Sequence, residues 1–124
     1  MERAFSAHGG SAGGDEIVRR LRLRADQPLS TLARWIVGRS VVHFEWQDST
    51  LIPVFQFDLP DMSLRPTVGQ VLGELNPVFD DWDVALWFAQ PNSWLRDMLP
   101  VDVLQSHPLE VLHAARADRF VARG

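Results

Sequence analysis

Few side chains in this sequence are of the kinds that catalyse reactions or bind metal ions. No two of its histidines have a spacing typical of metal ligands. The histidines are His8, His43, His107 and His113. Cysteine and tyrosine are absent, and so are a glycine-rich phosphate loop and a G-x-S-x-G nucleophile motif. The acidic run at 80–83 is better explained as the solvated start of a helix than as a metal site. We therefore expect no enzymatic activity, no bound metal and no cofactor.

Composition restricts the class of protein further. Hydrophobic residues make up 46% of the 124 residues, which suffices for a folded core. The absence of cysteine fits a reducing compartment. Neither a signal peptide nor a membrane span is apparent, so we expect a cytoplasmic protein without a membrane partner. The net charge of -4 argues against general nucleic-acid binding, which depends on neutralising phosphates.

Charge is distributed unevenly along the chain. Residues 15–39 carry six arginines against three acidic residues, so contact with promoter DNA is expected here if it occurs at all. The arginines assigned to this weaker hypothesis are Arg20, Arg24, Arg34 and Arg39. After Ser63 eight acidic residues face five arginines, which suits a basic protein partner better than a polyanion.

The N-terminal part is predicted to contain a tail followed by two helices. Residues 1–14 are rich in glycine, alanine and serine and are predicted to be a flexible tail. Apolar spacing predicts helices at about 15–24 and 29–37, the second ending at Gly38. With the short joint between them, the two helices are compatible with a degenerate helix-turn-helix; plain helical packing is the alternative.

The pattern then changes to that of a β-hairpin. Residues 41–46 alternate apolar and polar side chains, residues 48–50 have turn chemistry, and residues 51–57 supply a second strand. Pro53 restricts that strand to a sheet edge or places Pro53 at its start. We therefore predict that residues 15–58, the two helices and the hairpin, form the first unit with a hydrophobic core.

Residues 59–124 are predicted to form a small helical bundle. Helices should begin at Pro66, Pro100 and Pro108, because proline suits the first turn of a helix. A fourth helix should begin near Asp80 and end at Pro91. The spacing makes that helix apolar nearly all round, so its side chains should be buried. The expected core residues are Trp82, Leu86, Phe88 and Leu95. The fold class is thus α+β, mostly α.

Two segments carry a resemblance to a known family. Residues 82–95 read WDVALWFAQPNSWL and residues 100–104 read PVDVL. This order resembles the toxin-binding domain of the Xre/MbcA/ParS antitoxins, in which a helix ends in W-F-x-x-P-N-x-x-L and a P-x-D-L-L segment follows. Residues 52–58, IPVFQFD, resemble the P-x-F-Q-F-D segment that precedes this domain. The resemblance covers about 41–119. Asp97 stands where the family often has glycine, and aspartate tolerates the left-handed turn expected there.

The resemblance implies an antitoxin of a type II toxin-antitoxin module. Its partner would be a RES-type toxin that consumes NAD or transfers ADP-ribose, neutralised by direct contact and covered at its NAD cleft by the C-terminal helix. The toxin-binding residues implied are Asn92, Trp94, Arg116, Arg119, Phe120 and Arg123. A homodimer, or a hetero-oligomer with the toxin, is the expected assembly.

Two other interpretations stay open at this stage. One is a small DNA-binding transcriptional regulator, which also includes an antitoxin that represses its own operon. The other is an adaptor for an unrelated partner. A RES-type reading frame beside the gene would favour the antitoxin.

Overall fold

Proline marks the start of most helices in the computed structural model, which describes residues 1–22, 25–58 and 61–124. The helices are α1 Glu2–Ser6, α2 Gly14–Leu21, α3 Pro28–Val37, α4 Pro66–Leu75, α5 Asp81–Ala89, α6 Pro100–Val103 and α7 Pro108–Arg123. α3, α4, α6 and α7 each have proline in their first turn, where its missing N–H costs no helical hydrogen bond. At 57% helix and 14% strand, the predicted α+β, mostly helical class is confirmed.

Two small antiparallel sheets complete the fold. The strands are β1 Ser11–Gly13, β2 Phe44–Trp46, β3 Ser49–Pro53, β4 Phe57–Asp58 and β5 Ser63–Leu64. The predicted hairpin is present as β2 and β3, but its turn lies at Gln47 and Asp48, whose φ angles of 50° and 63° suit a two-residue hairpin loop. β3 is the central strand, and Pro53 is its last residue rather than its first. Residues 54–56 then form a single 3-10 turn instead of continuing the strand.

The N-terminal segment differs from the flexible tail predicted for 1–14. Phe5 on α1 is 1% exposed and stacks on Phe55 at a centroid distance of 5.5 Å. β1 pairs with β3, with Ala12 opposite Ile52. Gly9 and Gly10, which suggested flexibility, have φ angles of 93° and 74° and make the turn from α1 into β1. The burial of Phe5 and the strand pairing offset the cost of ordering this segment.

The buried amide of Gln56 connects the strands to the segment before β2. Its Oε1 accepts a hydrogen bond from the Val42 N–H at 2.7 Å, and its Nε2 donates to the carbonyls of Val42 and Pro53, each at 2.9 Å. Backbone groups thus supply hydrogen-bond partners for both polar atoms of the amide, so burying Gln56 leaves no side-chain polar atom unpaired.

Two hydrophobic clusters hold the elements together. The larger combines α4, α5, α6 and α7 with Phe5 and with the aromatic residues of the strands. The smaller contains Ile17 and Leu21 of α2, Leu32 of α3, and residues of β3 and β4. Because the larger cluster includes Phe5, Phe44 and Phe55, the C-terminal helices share their core with the N-terminal half of the chain.

Burial on α5 follows the prediction in part. Phe88 and Leu95 are buried at 0% and 2% exposure, as expected. Trp82, however, is 39% exposed and Leu86 is half-buried, so their assignment to the core was wrong. The first turn of α5 lies beside β2 at the surface, where Trp82 covers the core residue Phe44 and stacks on the exposed Trp46. Within the described part of the chain, no helix is long and apolar enough to cross a bilayer.

Candidate functional site

A tight turn follows α5, and we call residues 91–98 the PN turn. Asn92 caps it: its side-chain Oδ1 accepts the Trp94 N–H at 2.9 Å, and its backbone N–H donates to the Met98 carbonyl at 3.0 Å. Arg96 and Asp97 take left-handed φ angles of 57° and 63°. Asp97 therefore accommodates the conformation for which glycine was expected.

The carboxylate of Asp118, on α7, ties the PN turn to that helix. Oδ2 accepts hydrogen bonds from Trp87 Nε1 at 2.7 Å and from Asn92 Nδ2 at 2.9 Å. Oδ1 accepts one from Trp94 Nε1 at 2.9 Å. Hydrogen bonds to an ionised acceptor are stronger than neutral ones, and here they satisfy the buried polar atoms of Trp87 and Asn92. The turn and α7 are consequently held in one relative position.

A second carboxylate, Glu74 of α4, binds two arginines of α7. Its oxygens accept from Arg116 Nε at 3.3 Å and from Arg119 Nη1 at 3.1 Å. Burial raises the pKa of the Glu74 carboxyl, but the hydrogen bonds and positive charges of Arg119 and Arg116 outweigh it, so the net pKa lies below its ordinary value. Glu74 is therefore ionised near neutral pH and fixes α7 against α4.

Beyond these contacts α7 extends into solvent, and we call residues 120–124 the α7 tip. Burial on α7 ends at Ala115, and every residue of the tip is exposed. Phe120 is 81% exposed and Val121 is 64% exposed. Arg116, Phe120 and Arg123 are spaced i, i+4, i+7 and so lie on one face of the helix.

The six residues implied as toxin-binding thus fall into three groups. Asn92 and Trp94 meet at Asp118, and Arg116 and Arg119 meet at Glu74. Phe120 and Arg123 lie on the exposed end of α7. The sequence interpretation missed both organising carboxylates, Asp118 and Glu74. No local signal distinguishes them from other surface acids, because their partners are 24 to 45 residues away along the chain.

The arginines assigned to DNA differ in how many ion pairs and hydrogen bonds they make within the protein. Arg20 pairs with Glu16 at 3.0 Å. Arg39 donates to Asp81 at 2.7 Å and to the carbonyls of Asn76 and Phe79, so its guanidinium joins the segment before β2 to the start of α5. Arg34 is exposed and donates a hydrogen bond to Thr31, whereas Arg24 lies outside the described residues. These ion pairs reduce the positive charge that Arg20 and Arg39 offer to a phosphate backbone.

The acidic run at 80–83 has a structural role at the start of α5. Asp80 caps the helix by accepting the Asp83 N–H at 2.8 Å. Asp81 contacts Arg39 and also lies 3.2 Å from His43 Nε2. Among the described residues, no three histidine or acidic side chains are grouped so as to hold a metal ion.

Comparisons of the chain with family models, with curated proteins and with solved structures found no match.

Proposed function

We propose that this protein is an antitoxin that neutralises a RES-type toxin by direct binding, with the α7 tip as the inhibitory contact. The observation that carries the proposal is the exposure of Phe120 and Val121 at the end of a firmly anchored helix. The likeness of residues 82–104 to the Xre/MbcA/ParS toxin-binding domain supplies the class of partner.

Exposed apolar side chains at a helix end favour burial against a partner. Covering an aromatic side chain such as Phe120 contributes roughly 2 kcal/mol, and Val121 adds to the same surface. Asp118 and Glu74 already fix α7, so little ordering entropy is lost on binding. A rigid, apolar tip is what an inhibitor that enters a cleft requires.

The charges of α7 suit an NAD cleft, which accepts a diphosphate and aromatic rings. Arg123 and Phe120 share one face of the tip, so one side chain can bind phosphate oxygens or their protein ligands while the other fills a ring subsite. Arg116 and Arg119 are engaged by Glu74 in the free protein. Their contribution to binding is therefore smaller than that of unpaired arginines.

The test is protection of cells that express a RES-type toxin, taken from the reading frame beside this gene if one of that type is found there. Truncation after Arg119 should leave the melting temperature nearly unchanged, because residues 120–124 are exposed, yet should abolish protection and co-purification with the toxin. Val37→Ala is the matched control, since Val37 is an 85% exposed apolar residue on α3, and it should protect fully.

Two results would contradict the proposal. One is full protection by the truncated protein. The other is a purified complex that binds NAD with the affinity of the free toxin, because a tip inserted in the cleft must exclude the nucleotide. The absence of a RES-type gene beside this one would count against the proposal too, because the predicted partner would be missing.

A further inference from the structure

A second surface lies away from α7, in a groove between the N-terminus, the hairpin and α5. Its volume is about 620 Å³, within the range of sites that take a ligand the size of a few side chains. The lining residues are Met1, Glu2, Ser6, Gly10, Ser11, Phe44, Trp46, Leu51, Trp82 and Leu86. None of them belongs to α7 or to the PN turn, so we name this surface the aromatic groove.

Three aromatic rings form one wall of the aromatic groove. Trp46 and Trp82 are stacked, with centroids 6.4 Å apart and planes inclined by 16°, and Phe44 meets Trp82 edge-on at 5.7 Å. Trp46 is 54% exposed and Trp82 is 39% exposed. Two neighbouring tryptophans left open to solvent present ring faces that favour apolar groups and cations.

The elements that carry these rings are strongly acidic. Glu2 lines the groove, and Asp48 is in the hairpin turn. Glu45 lies between Phe44 and Trp46 in sequence, so its side chain points to the opposite face of β2, where it accepts a hydrogen bond from Thr50. Asp80, Asp81 and Asp83 surround Trp82 at the start of α5. Of these six acids, Asp81 is the only one that forms an ion pair among the described residues, with Arg39 and His43. Arg3 of α1 and the amino group of Met1 offset part of this charge.

We propose that the aromatic groove binds a peptide segment of a partner protein in which arginine or lysine alternates with apolar side chains. The cations meet tryptophan faces and the carboxylate of Glu2, and the apolar side chains meet Leu51, Leu86 and Phe44. A polyanion is disfavoured by the acids. A second copy of this chain is disfavoured too, because it carries the same net charge of -4. The surface is independent of the α7 tip, so the proposal stands whether or not the toxin is the partner.

The test uses a short peptide of alternating arginine and leucine, blocked at both ends, with a control peptide in which glutamate replaces arginine. Binding is followed by the indole N–H resonances of ¹⁵N-labelled full-length protein. The arginine peptide should shift the resonances of Trp46 and Trp82 and leave those of Trp87 and Trp94 unchanged. Raising the salt concentration should weaken binding several-fold, because exposed charges are screened. The glutamate peptide should produce no shift.

Variants separate the groove from the rest of the surface. Trp46→Ala should weaken binding of the arginine peptide about tenfold, and Trp94→Ala, which removes a tryptophan of similar exposure, should not change it. Glu2→Gln with Asp83→Asn should weaken binding without altering the fold, since neither side chain is hydrogen-bonded to another described residue in the structure.

Other outcomes would overturn this proposal. Equal binding of the two peptides, or binding insensitive to salt, would show that charge does not determine recognition. Arginine methyl ester that binds as tightly as the peptide would identify a small organic cation as the occupant. A dimer in sedimentation that Trp46→Ala dissociates would identify a second copy instead.

Discussion

Asp118 joins α5, the PN turn and α7 through a single carboxylate. Two of its three donors are buried: Trp87 is 8% exposed and Asn92 is 7% exposed. Removing the acceptor would leave both donors without a partner in the interior, and an unsatisfied buried donor costs more than the hydrogen bond itself contributes. The contacts of this one residue therefore determine both stability and the position of Trp94.

We expect Asp118→Ala to lower the free energy of unfolding by about 2 to 4 kcal/mol, since it orphans two buried donors and removes a third hydrogen bond. Urea denaturation measures the change. The matched control is Asp97→Asn, which removes a carboxylate from an exposed position and keeps a residue type that tolerates φ of 63°. A loss below about 0.5 kcal/mol for Asp118→Ala would mean that water replaces the carboxylate.

Asn92 and Trp94 were singled out because residues 82–95 and 100–104 together resemble a known toxin-binding domain, and their binding role stays a prediction. Their shared partner Asp118 was not singled out, because the pairing depends on how α7 crosses the turn. The proposed role of Arg116 and Arg119 changes for the same reason. Both bind Glu74 in the free protein, so a partner must compete with that carboxylate.

At the scale of elements, Glu74 couples α4 to α7. The two helices form the central pair of the bundle, and Glu74 meets α7 just beyond its last buried residue, Ala115. Residues 116–119 of α7, between Ala115 and the α7 tip, are thus held by electrostatic contacts rather than by apolar packing. Such contacts depend on pH in a way that packing does not.

We expect Glu74 to contribute less stability in acid. Its pKa is lowered in the folded state, so the contribution is complete above the ordinary pKa of 4.5 and is lost as the pH falls through the lowered value. At neutral pH, Glu74→Gln should cost about 1 kcal/mol or less, because Arg119 and Arg116 are partly solvated. Urea denaturation of both proteins across this range should show the difference shrinking with acidity. A difference that grows in acid would contradict this assignment.

Sequence patterns located the helices better than the strands. Proline at positions 66, 100 and 108 predicted three helix starts through local chemistry alone, and apolar spacing predicted α3 to within one residue of its start at Pro28. β1 was missed because Ser-Ala-Gly has no strand preference of its own, and its pairing with β3 is set by the burial of Ala12 and Phe5. Trp82 was misplaced because periodicity indicates an apolar stripe and not which neighbour covers it.

On the scale of the whole molecule, the N-terminal segment is part of the main core. Phe5 contacts Phe44 and Phe55, and Phe55 in turn contacts Phe88 at 5.0 Å. This chain of rings connects α1, the strands and α5. The C-terminal bundle is therefore not self-contained.

We expect Phe5→Ala to destabilise the whole protein by roughly 3 to 5 kcal/mol through the cavity it leaves. The melting temperatures measured by circular dichroism and by tryptophan fluorescence should shift together, since Phe5 belongs to the cluster that spans both halves of the chain. Leu29→Ala, at a 69% exposed position, is the control and should change stability by less than about 0.5 kcal/mol. An unchanged melting temperature for Phe5→Ala would contradict the burial of Phe5 and would support the flexible tail predicted for residues 1–14.

The contact between His8 and Asp102, at 2.8 Å across 94 residues of chain, has a consequence for the order of folding. During synthesis α1 is made well before α6, the helix against which it lies, leaves the ribosome. Until then Phe5 has no complete core to enter, and contacts of such long sequence separation form slowly. The nascent chain therefore carries Phe5 without its complete core until α6 has been made, which makes it a candidate substrate for chaperones.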